Sequence, residues 1–275
     1  MARIVQLSDS HFGLSKPHFT VNAAPVQEWI RQQRPDLVIH TGDATVNGAD
    51  SEDDMRDVAE IMQATGVPFL AVPGNHDVGE PGNPYQPVND ERLARWRRHF
   101  GADWWSRDIE QWRLVGIDSM LFGSGHAEET RQMRWLEEVT AGAAPRRVAW
   151  FTHRPLFIED PREGDRGYWS IRPAPRTLLL DLLRRHDVAL VATGHLHKWR
   201  DVTVEGCRYI WGPSCGFLVG PKEQPIELPG EKWLGAAVYE LDGSNATVRH
   251  APIPGLTELW IDDVVHDVYP HSQAR

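Results

Sequence analysis

Eight side chains in five short blocks are of the kinds that hold metal ions in hydrolytic sites. The blocks are, in chain order, Asp9-Ser10-His11, Gly42-Asp43, Gly74-Asn75-His76-Asp77, His153 and Gly194-His195-Leu196-His197. They combine carboxylate, imidazole and amide groups. A two-metal hydrolytic site needs such ligands, because they clamp both the attacking and the leaving oxygen of a displacement at phosphorus. The blocks therefore predict a metal site suited to that chemistry.

Nearly every block directly follows a run of apolar residues that predicts a buried strand. Short β-branched and apolar runs bounded by Gly or Pro are typical of strands in the core of a sheet. The runs cover residues 3–7, 36–40, 68–72, 147–151 and 188–192. In open α/β sheets the carboxyl ends of the strands form the ligand crevice. We therefore expect five strands to deliver the candidate ligands to one edge of one sheet.

Helical and strand patterns alternate through the first two thirds of the chain, which predicts sheets flanked by helices. Helical spacing covers residues 21–33, 51–65, 90–100, 128–140 and 175–186. From Trp199 onward the pattern changes to short alternating strands at residues 201–205, 208–211, 236–241 and 246–250. These strands imply a second sheet packed on the first.

Composition favours one folded domain and excludes some functions. The chain has 275 residues, a length that fits one large domain. Its net charge of −10 argues against a protein that coats nucleic acid. No apolar run approaches the length of a membrane span, and no leader precedes the first strand, so we expect a cytoplasmic protein without a membrane partner. The two cysteines, Cys207 and Cys215, favour reduced buried thiols over a disulfide.

Three irregular segments, at residues 78–87, 154–173 and 212–232, flank the ligand blocks. Long loops beside a rigid ligand set often select the substrate. The middle segment contains Arg154, Tyr168 and Trp169, which could hold phosphate oxygens or stack on a base. The alternative, that each of them only packs or solvates its loop, stays open.

The ordered motifs from Asp9 to His197 resemble those of the calcineurin-like metallophosphoesterase superfamily, and all of them are intact. Within it, the chain is similar to the bacterial class III cyclic nucleotide phosphodiesterases and their glycerophosphodiesterase relatives. Residues 8–12 and the spacing from Gly42 to Gly48 carry that similarity. The Tyr that follows the Gly-Asp block in purple acid phosphatases is missing. The resemblance implies an α/β fold, a four-layer α/β/β/α sandwich of two packed mixed sheets flanked by helices.

The resemblance also implies two divalent metal ions and their ligands. The first ion would be held by Asp9, His11, Asp43 and His197. The second would be held by Asp43 as a bridge, with Asn75, His153 and His195. Ligands of this kind without a thiolate suit Mn, Fe or Zn, and affinity does not select among them.

His76 lies outside both implied ligand sets and is the expected catalytic residue. Its imidazole would steady a non-bridging oxygen or protonate the leaving alkoxide. Asp77 could orient the ring of His76. The expected substrate contacts are Asn75, His76, Arg154, Tyr168 and Trp169.

The leading hypothesis is a binuclear metal-dependent phosphodiesterase, which cleaves a cyclic nucleotide or a glycerophosphodiester by attack of a metal-bridging hydroxide on phosphorus. A phosphomonoesterase would need extra cations, such as Arg154, for the second negative charge of its substrate. A non-catalytic scaffold of the same fold is disfavoured because every ligand and His76 are present.

We expect a single domain over residues 1–275. It would comprise a motif-bearing part (1–198), a strand-rich second sheet (199–255) and a C-terminal tail (256–275). The tail, with Trp260, Ile261, Val264 and Val265, could cover its own core or a neighbouring molecule, so a homodimer or higher homo-oligomer stays open.

Overall fold

A computed structural model describes residues 1–269 of the chain, which form two mixed β-sheets. Residues 270–275 of the predicted tail lie outside the described part. The first sheet contains β1 (Ala2–Leu7), β2 (Leu37–Thr41), β3 (Phe69–Val72), β10 (Ala236–Asp242) and β11 (Asn245–Ala251). The second contains β4 (Trp105–Ile109), β5 (Trp112–Ile117), β6 (Arg147–Thr152), β7 (Leu190–Thr193), β8 (Arg200–Val204) and β9 (Cys207–Trp211).

Each sheet has a parallel centre and antiparallel additions. The first runs in the order β11-β10-β1-β2-β3, in which β1, β2 and β3 are parallel. The second runs β4-β5-β6-β7-β9-β8, with β5, β6, β7 and β9 parallel. Every residue of β2 and β7 is buried. Such continuous burial agrees with the largely apolar sequences of these two strands, because parallel strands are covered on both faces.

The two sheets pack face to face around one apolar core. Ile39 and Val72 of the first sheet lie in the same buried cluster as Leu114 and Phe151 of the second. Burying one such side chain contributes roughly 1.5–3 kcal/mol relative to leaving it in water. This core holds the two sheets in a fixed relation, so the loops at their ends are also fixed relative to one another.

Helices cover the outer faces. The helices of the described residues are α1 (Ala23–Gln33), α2 (Glu52–Gln63), α3 (Asn75–Val78), α4 (Asp90–Phe100), α5 (Ala127–Ala141), α6 (Pro173–Arg185) and α7 (Val265–Val268). Of these, α1, α2, α5 and α6 pack on the outer faces of the sheets. Val26 of α1 and Val58 of α2 pack with Val38 of the first sheet, and Leu136 of α5 and Leu179 of α6 pack against the second. The predicted α/β class with two mixed sheets flanked by helices is confirmed.

Two predictions about strand partners are wrong. The ligand-bearing strands do not share one sheet, because β1, β2 and β3 belong to the first and β6 and β7 to the second. The strands within residues 199–255 do not form a sheet of their own: β8 and β9 extend the second sheet, and β10 and β11 extend the first. An apolar pattern predicts that a segment is a strand, but the hydrogen-bond partner of that strand is chosen by packing across the whole domain.

The structure also describes the two cysteines, the lengths of the helices and the start of the C-terminal tail. Cys207 and Cys215 are free and buried, and burial raises the pKa of the Cys207 thiol to about 12. Among residues 1–269, no helix is both long enough and apolar enough to cross a bilayer. The tail packs on its own chain, since Ile261, Val265 and Val268 are buried in a cluster with Phe217.

Candidate metal centre

The candidate ligands leave their strands through sharply turned backbone. Asp9, Asp43, His195 and His197 have φ values of 51°, 50°, 71° and 51°, in the left-handed region that non-glycine residues rarely adopt. Such conformations cost about 1–3 kcal/mol each and cluster at functional sites. They turn the side chains of adjacent loops toward a common point between the two sheets.

Backbone hydrogen bonds tie the loops together. The amide of Asp9 donates to the carbonyl of Gly42 at 3.0 Å, and the amide of His11 donates to the carbonyl of Asp43 at 3.0 Å. Gly42 has φ 89°, and a Cβ there would lie 2.6 Å from Nδ1 of His153. Glycine is therefore required for the imidazole to approach so closely.

The first group of ligands is built around His11. Its Nε2 lies 3.3 Å from Nε2 of His197 and 4.0 Å from Oδ1 of Asp9. Nε2 of His197 is 3.4 Å from the same Asp9 oxygen. Nε2 of His11 is also 3.8 Å from Oδ2 of Asp43, and these side chains are all buried. Four potential donor atoms thus surround one small volume.

The second group shares Asp43 with the first. Nε2 of His153 lies 3.2 Å from Oδ2 of Asp43, 3.3 Å from Oδ1 of Asn75 and 3.2 Å from Nδ1 of His195. Oδ2 of Asp43 thus faces both His11 and His153. The structure gathers the seven predicted ligands into the two groups that the family resemblance implies. That they bind metal stays a prediction.

Each histidine of these groups holds one ring nitrogen on an oxygen outside the site. Nδ1 of His153 is 2.8 Å from the carbonyl of Thr41, and Nδ1 of His197 is 2.8 Å from that of Phe217. Nε2 of His195 is 2.8 Å from the carbonyl of Tyr168. For His11, Nδ1 is 2.6 Å from the hydroxyl of Tyr269.

These partners decide which nitrogen carries the hydrogen. A carbonyl oxygen only accepts, so the outward nitrogens of His153, His195 and His197 must donate. In a neutral imidazole the opposite nitrogen is then a bare lone pair. The lone pairs of His153 and His195 face each other at 3.2 Å. Such an arrangement repels itself unless a proton or a metal ion lies between the nitrogens, and ligating histidines are typically held in this way. The residues therefore fit divalent metal ions.

Charges within the metal-free centre shift several pKa values. Burial opposes ionisation of Asp43, but the neighbouring imidazoles of His153 and His76 hold the pKa of that carboxyl well below its usual range. Burial lowers the pKa of His153, and the carboxylates of Asp43 and Asp9 outweigh it, raising the pKa to about 9. Burial also holds the pKa of His195 well below the ordinary value. The negative charge of Asp43 is thus retained, ready to attract cations.

His76 lies closer to the ligands than the sequence indicated. One of its ring nitrogens lies within 4.8 Å of donor atoms of His11 and Asp43. Its backbone amide donates to Oδ1 of Asp43 at 2.8 Å, and its ring packs on that of Tyr269 with centroids 4.2 Å apart. The side chain thus lines the edge of the centre, where a substrate bound to the ligand groups would meet it.

Asp77, expected to orient the ring of His76, contacts the two ligand loops, and its effect on His76 stays a prediction. Its carboxylate accepts hydrogen bonds from the amides of Gly74, Ala44 and Thr45 at 2.9, 3.2 and 2.9 Å, and from the Thr45 hydroxyl at 2.7 Å. All four donors belong to the backbone or side chains of the two ligand loops. Asp77 therefore joins the Gly42-Asp43 loop to the loop that carries Asn75.

A cavity of about 500 Å³ opens directly onto the centre, and its walls include His76, Tyr168, Trp169 and Tyr269. A neighbouring cavity of about 580 Å³ shares His76, Tyr168 and Tyr269. The guanidinium of Arg154 is buried, lies 5.7 Å from the Tyr168 ring centroid and is 3.2 Å from Oε1 of Glu80. The predicted substrate contacts Tyr168 and Trp169 thus line the space above the ligands.

Several residues of the centre were not predicted. Ser8 donates to Oδ2 of Asp9 at 2.5 Å, and the Thr41 and Phe217 carbonyls hold two of the histidines. Backbone carbonyls have no sequence signal, because every residue has one. Tyr269 was part of the noted C-terminal tail, but nothing in the pattern of that tail indicated contact with His11.

Comparisons with known proteins agree with this geometry. A model of the calcineurin-like phosphoesterase family matches residues 2–199. A probable glycerophosphodiester phosphodiesterase, GpdQ, of Arcobacter nitrofigilis is 28% identical over 214 residues, 71% of each chain. The 3',5'-cyclic adenosine monophosphate phosphodiesterase CpdA of Escherichia coli is 27% identical over 260 residues, 87% of this chain and 90% of CpdA. The serine/threonine-protein phosphatase CPPED1 of Danio rerio is 26% identical over 244 residues, 84% of this chain and 73% of CPPED1.

Proposed function

The chain belongs to the calcineurin-like phosphoesterase family, and from that membership we propose that it is a binuclear metal-dependent phosphodiesterase acting on a small diester. Relatives named as phosphodiesterases of glycerophosphodiesters and of cyclic adenosine monophosphate support the substrate class. Cleavage would take place at phosphorus, with the substrate in the cavity above the ligand groups.

One observation carries the proposal: imidazole nitrogens, carboxylate oxygens and one amide oxygen face two adjacent volumes that share Oδ2 of Asp43. His11, His197 and Asp9 surround the first volume, and His153, His195 and Asn75 the second. We assign one divalent ion to each group, with Asp43 common to both. Imidazole, carboxylate and amide ligands suit Mn, Fe or Zn.

Divalent ions held there would supply water activated at neutral pH and would neutralise charge on the phosphoryl oxygens. The protein's own groups do the rest. His76, at the edge of the centre, would donate a proton to the departing alkoxide or hold a non-bridging oxygen. Asp77 and Gly42 would fix the loops, so that Asp43 and Asn75 keep their positions as the substrate binds.

The pairing of Arg154 with Glu80 supports a diester over a monoester. A phosphomonoester carries a second negative charge and needs further cations to hold it. Arg154, the buried cation beside the centre, already pairs with Glu80 at 3.2 Å. Its buried Nε nevertheless has no hydrogen-bond partner among residues 1–269. The guanidinium could therefore donate to the oxygens of a singly charged diester without supplying a full extra positive charge.

A phosphomonoesterase is the second candidate, because CPPED1 of Danio rerio is named a protein phosphatase. The test is hydrolysis of bis-p-nitrophenyl phosphate and of p-nitrophenyl phosphate by metal-stripped protein resupplied with Mn, Zn or Fe in turn. We expect diester turnover that returns only with metal. A preference for the monoester would replace the proposal with the phosphatase. Two bound metals with no turnover of either substrate would favour a non-catalytic scaffold.

A further inference from the structure

The C-terminal tail brings a tyrosine to the candidate metal centre from outside the region that the family model matches. Tyr269 directly follows α7, and its hydroxyl lies 2.6 Å from Nδ1 of His11. The family match ends at residue 199, so this contact comes from a part of the chain that the family motifs do not include. The same tyrosine lines both cavities beside the centre.

The position of Tyr269 is imposed by the packing of the tail. The amide of Leu218 donates to the carbonyl of Leu259 at 2.8 Å, and the amide of Ile261 donates back to the carbonyl of Leu218 at 3.0 Å. Nζ of Lys16 donates to the carbonyl of Val268 at 2.6 Å. The side chain of Val268 is fully buried in the cluster that contains Phe217. The residue before Tyr269 is thus held by both apolar packing and a charged donor.

His11 differs from the other three histidines in what holds its outward nitrogen. His153, His195 and His197 use backbone carbonyls, which no substitution of a side chain can remove. His11 uses the Tyr269 hydroxyl. When Nε2 of His11 binds a cation, its Nδ1 must carry the hydrogen, and the tyrosine oxygen then accepts it. A hydroxyl can also donate, so either tautomer of His11 can keep this hydrogen bond until a cation on Nε2 selects the Nδ1–H form.

We propose that Tyr269 is a positioning residue that completes the metal centre from the C-terminal tail, an inference that rests on the proposed two-metal function. Its hydroxyl accepts from Nδ1 of His11 and directs the Nε2 lone pair inward. Its ring packs on the ring of His76, with centroids 4.2 Å apart and planes inclined by 32°. One side chain therefore sets the orientation of a ligand and of the expected catalytic residue.

The test compares metal affinities of Tyr269→Phe and the unsubstituted full-length protein, both stripped of metal and titrated with Zn²⁺ and Mn²⁺ against a chromophoric chelator. Removing a partner that holds a ligating histidine typically weakens metal affinity about 10–100-fold. We expect a loss of that size at one of two sites, with the other unchanged. Phenylalanine keeps the ring, so packing on His76 is preserved.

Two controls separate positioning from folding. His266→Ala changes an exposed residue of α7 and should leave both affinities unchanged. Thermal unfolding of the metal-free proteins should give the same midpoint for Tyr269→Phe as for the unsubstituted chain. Tyr269→Ala, which also removes the ring, should lower kcat further than Tyr269→Phe at saturating metal.

Each outcome of these measurements either supports or overturns the inference. Unchanged affinities in Tyr269→Phe would overturn the inference and leave the two-metal proposal intact, because the unsubstituted protein would still bind both ions. Equal losses at both sites would also overturn it, since the proposed role acts through the hydrogen bond to His11, which belongs to the first ligand group. Failure of the unsubstituted protein to bind metal would refute the proposed function and this inference together.

Discussion

His153 and His195 face each other through ring nitrogens 3.2 Å apart, while their opposite nitrogens each lie 2.8 Å from a backbone carbonyl. The carbonyls fix the hydrogens on the outer side of both rings. The two inner nitrogens therefore share a volume that only a proton or a metal ion can make favourable. Competition between these two occupants leads to the first prediction.

Metal affinity should rise with pH up to about pH 9. Burial lowers the pKa of His153, but Asp43 and Asp9 raise it to about 9 in the metal-free protein, so the ring is charged at neutral pH. A metal ion must displace that proton. Affinity should therefore increase about tenfold per pH unit for one proton released. Chelator competition at several pH values between 6.5 and 9 would measure it, and a flat profile would contradict the displacement.

The raised pKa of His153 also predicts that the stability of the metal-free protein falls as pH rises. The folded-state pKa of His153 lies above the unfolded value of 6.5. Its contribution to stability is thus fully present below pH 6.5 and is lost as pH rises to about 9. Denaturant unfolding of the metal-free protein should show a falling free energy across this window. Excess Zn²⁺ should abolish that trend, because the metal replaces the proton.

Substitution of Asp43 and of His76 should separate metal binding from turnover. Asp43→Ala removes the oxygen that faces both ligand groups and should lose metal from both. His76→Ala keeps the backbone amide that donates to Asp43, so both metals should remain. Turnover should nevertheless fall about 10²–10⁴-fold, the usual contribution of a general acid. Metal content and kcat are measured on the same samples, and comparable metal loss in both variants would show that His76 is itself a ligand.

Asp77→Ala should destabilise the fold. The substitution leaves three buried backbone amides and one hydroxyl without their acceptor. Hydrogen bonds to a charged group contribute about 1.5–3 kcal/mol each and are not additive, so we expect a loss of roughly 3–5 kcal/mol in unfolding free energy. Urea denaturation would measure it. Asp181→Ala, an exposed carboxylate on α6, should change stability by less than about 0.5 kcal/mol.

Trp169→Ala should raise KM for an aromatic diester. Trp169 lines the cavity over the ligands, whereas Trp233 lines a separate surface depression and is 45% exposed. Loss of one aromatic contact costs about 1 kcal/mol, which corresponds to roughly a fivefold increase in KM. Steady-state kinetics with bis-p-nitrophenyl phosphate would test this. Trp233→Ala is the matched control, and an equal change in both variants would assign the effect to general stability.

The sequence predicted that the candidate ligands lie together, because they can be recognised by residue type and by their place after buried strands. Asp9, Asp43 and His153 each follow an apolar run, and the structure has them at the ends of β1, β2 and β6. Local patterns were sufficient here, since a strand's own residues determine its burial and its end. The helices of the first two thirds were likewise visible in their apolar spacing.

Tertiary structure alone decided which strands pair, which loops Asp77 joins and how Tyr269 reaches His11. The ligand strands divide between two sheets because packing across the whole domain selects each strand's neighbour. The carboxylate of Asp77 faces amides of a loop 32 residues earlier in the chain, and Tyr269 lies 258 residues from His11. Contacts over such separations depend on the folded path of the entire chain, so no local pattern of residues could report them.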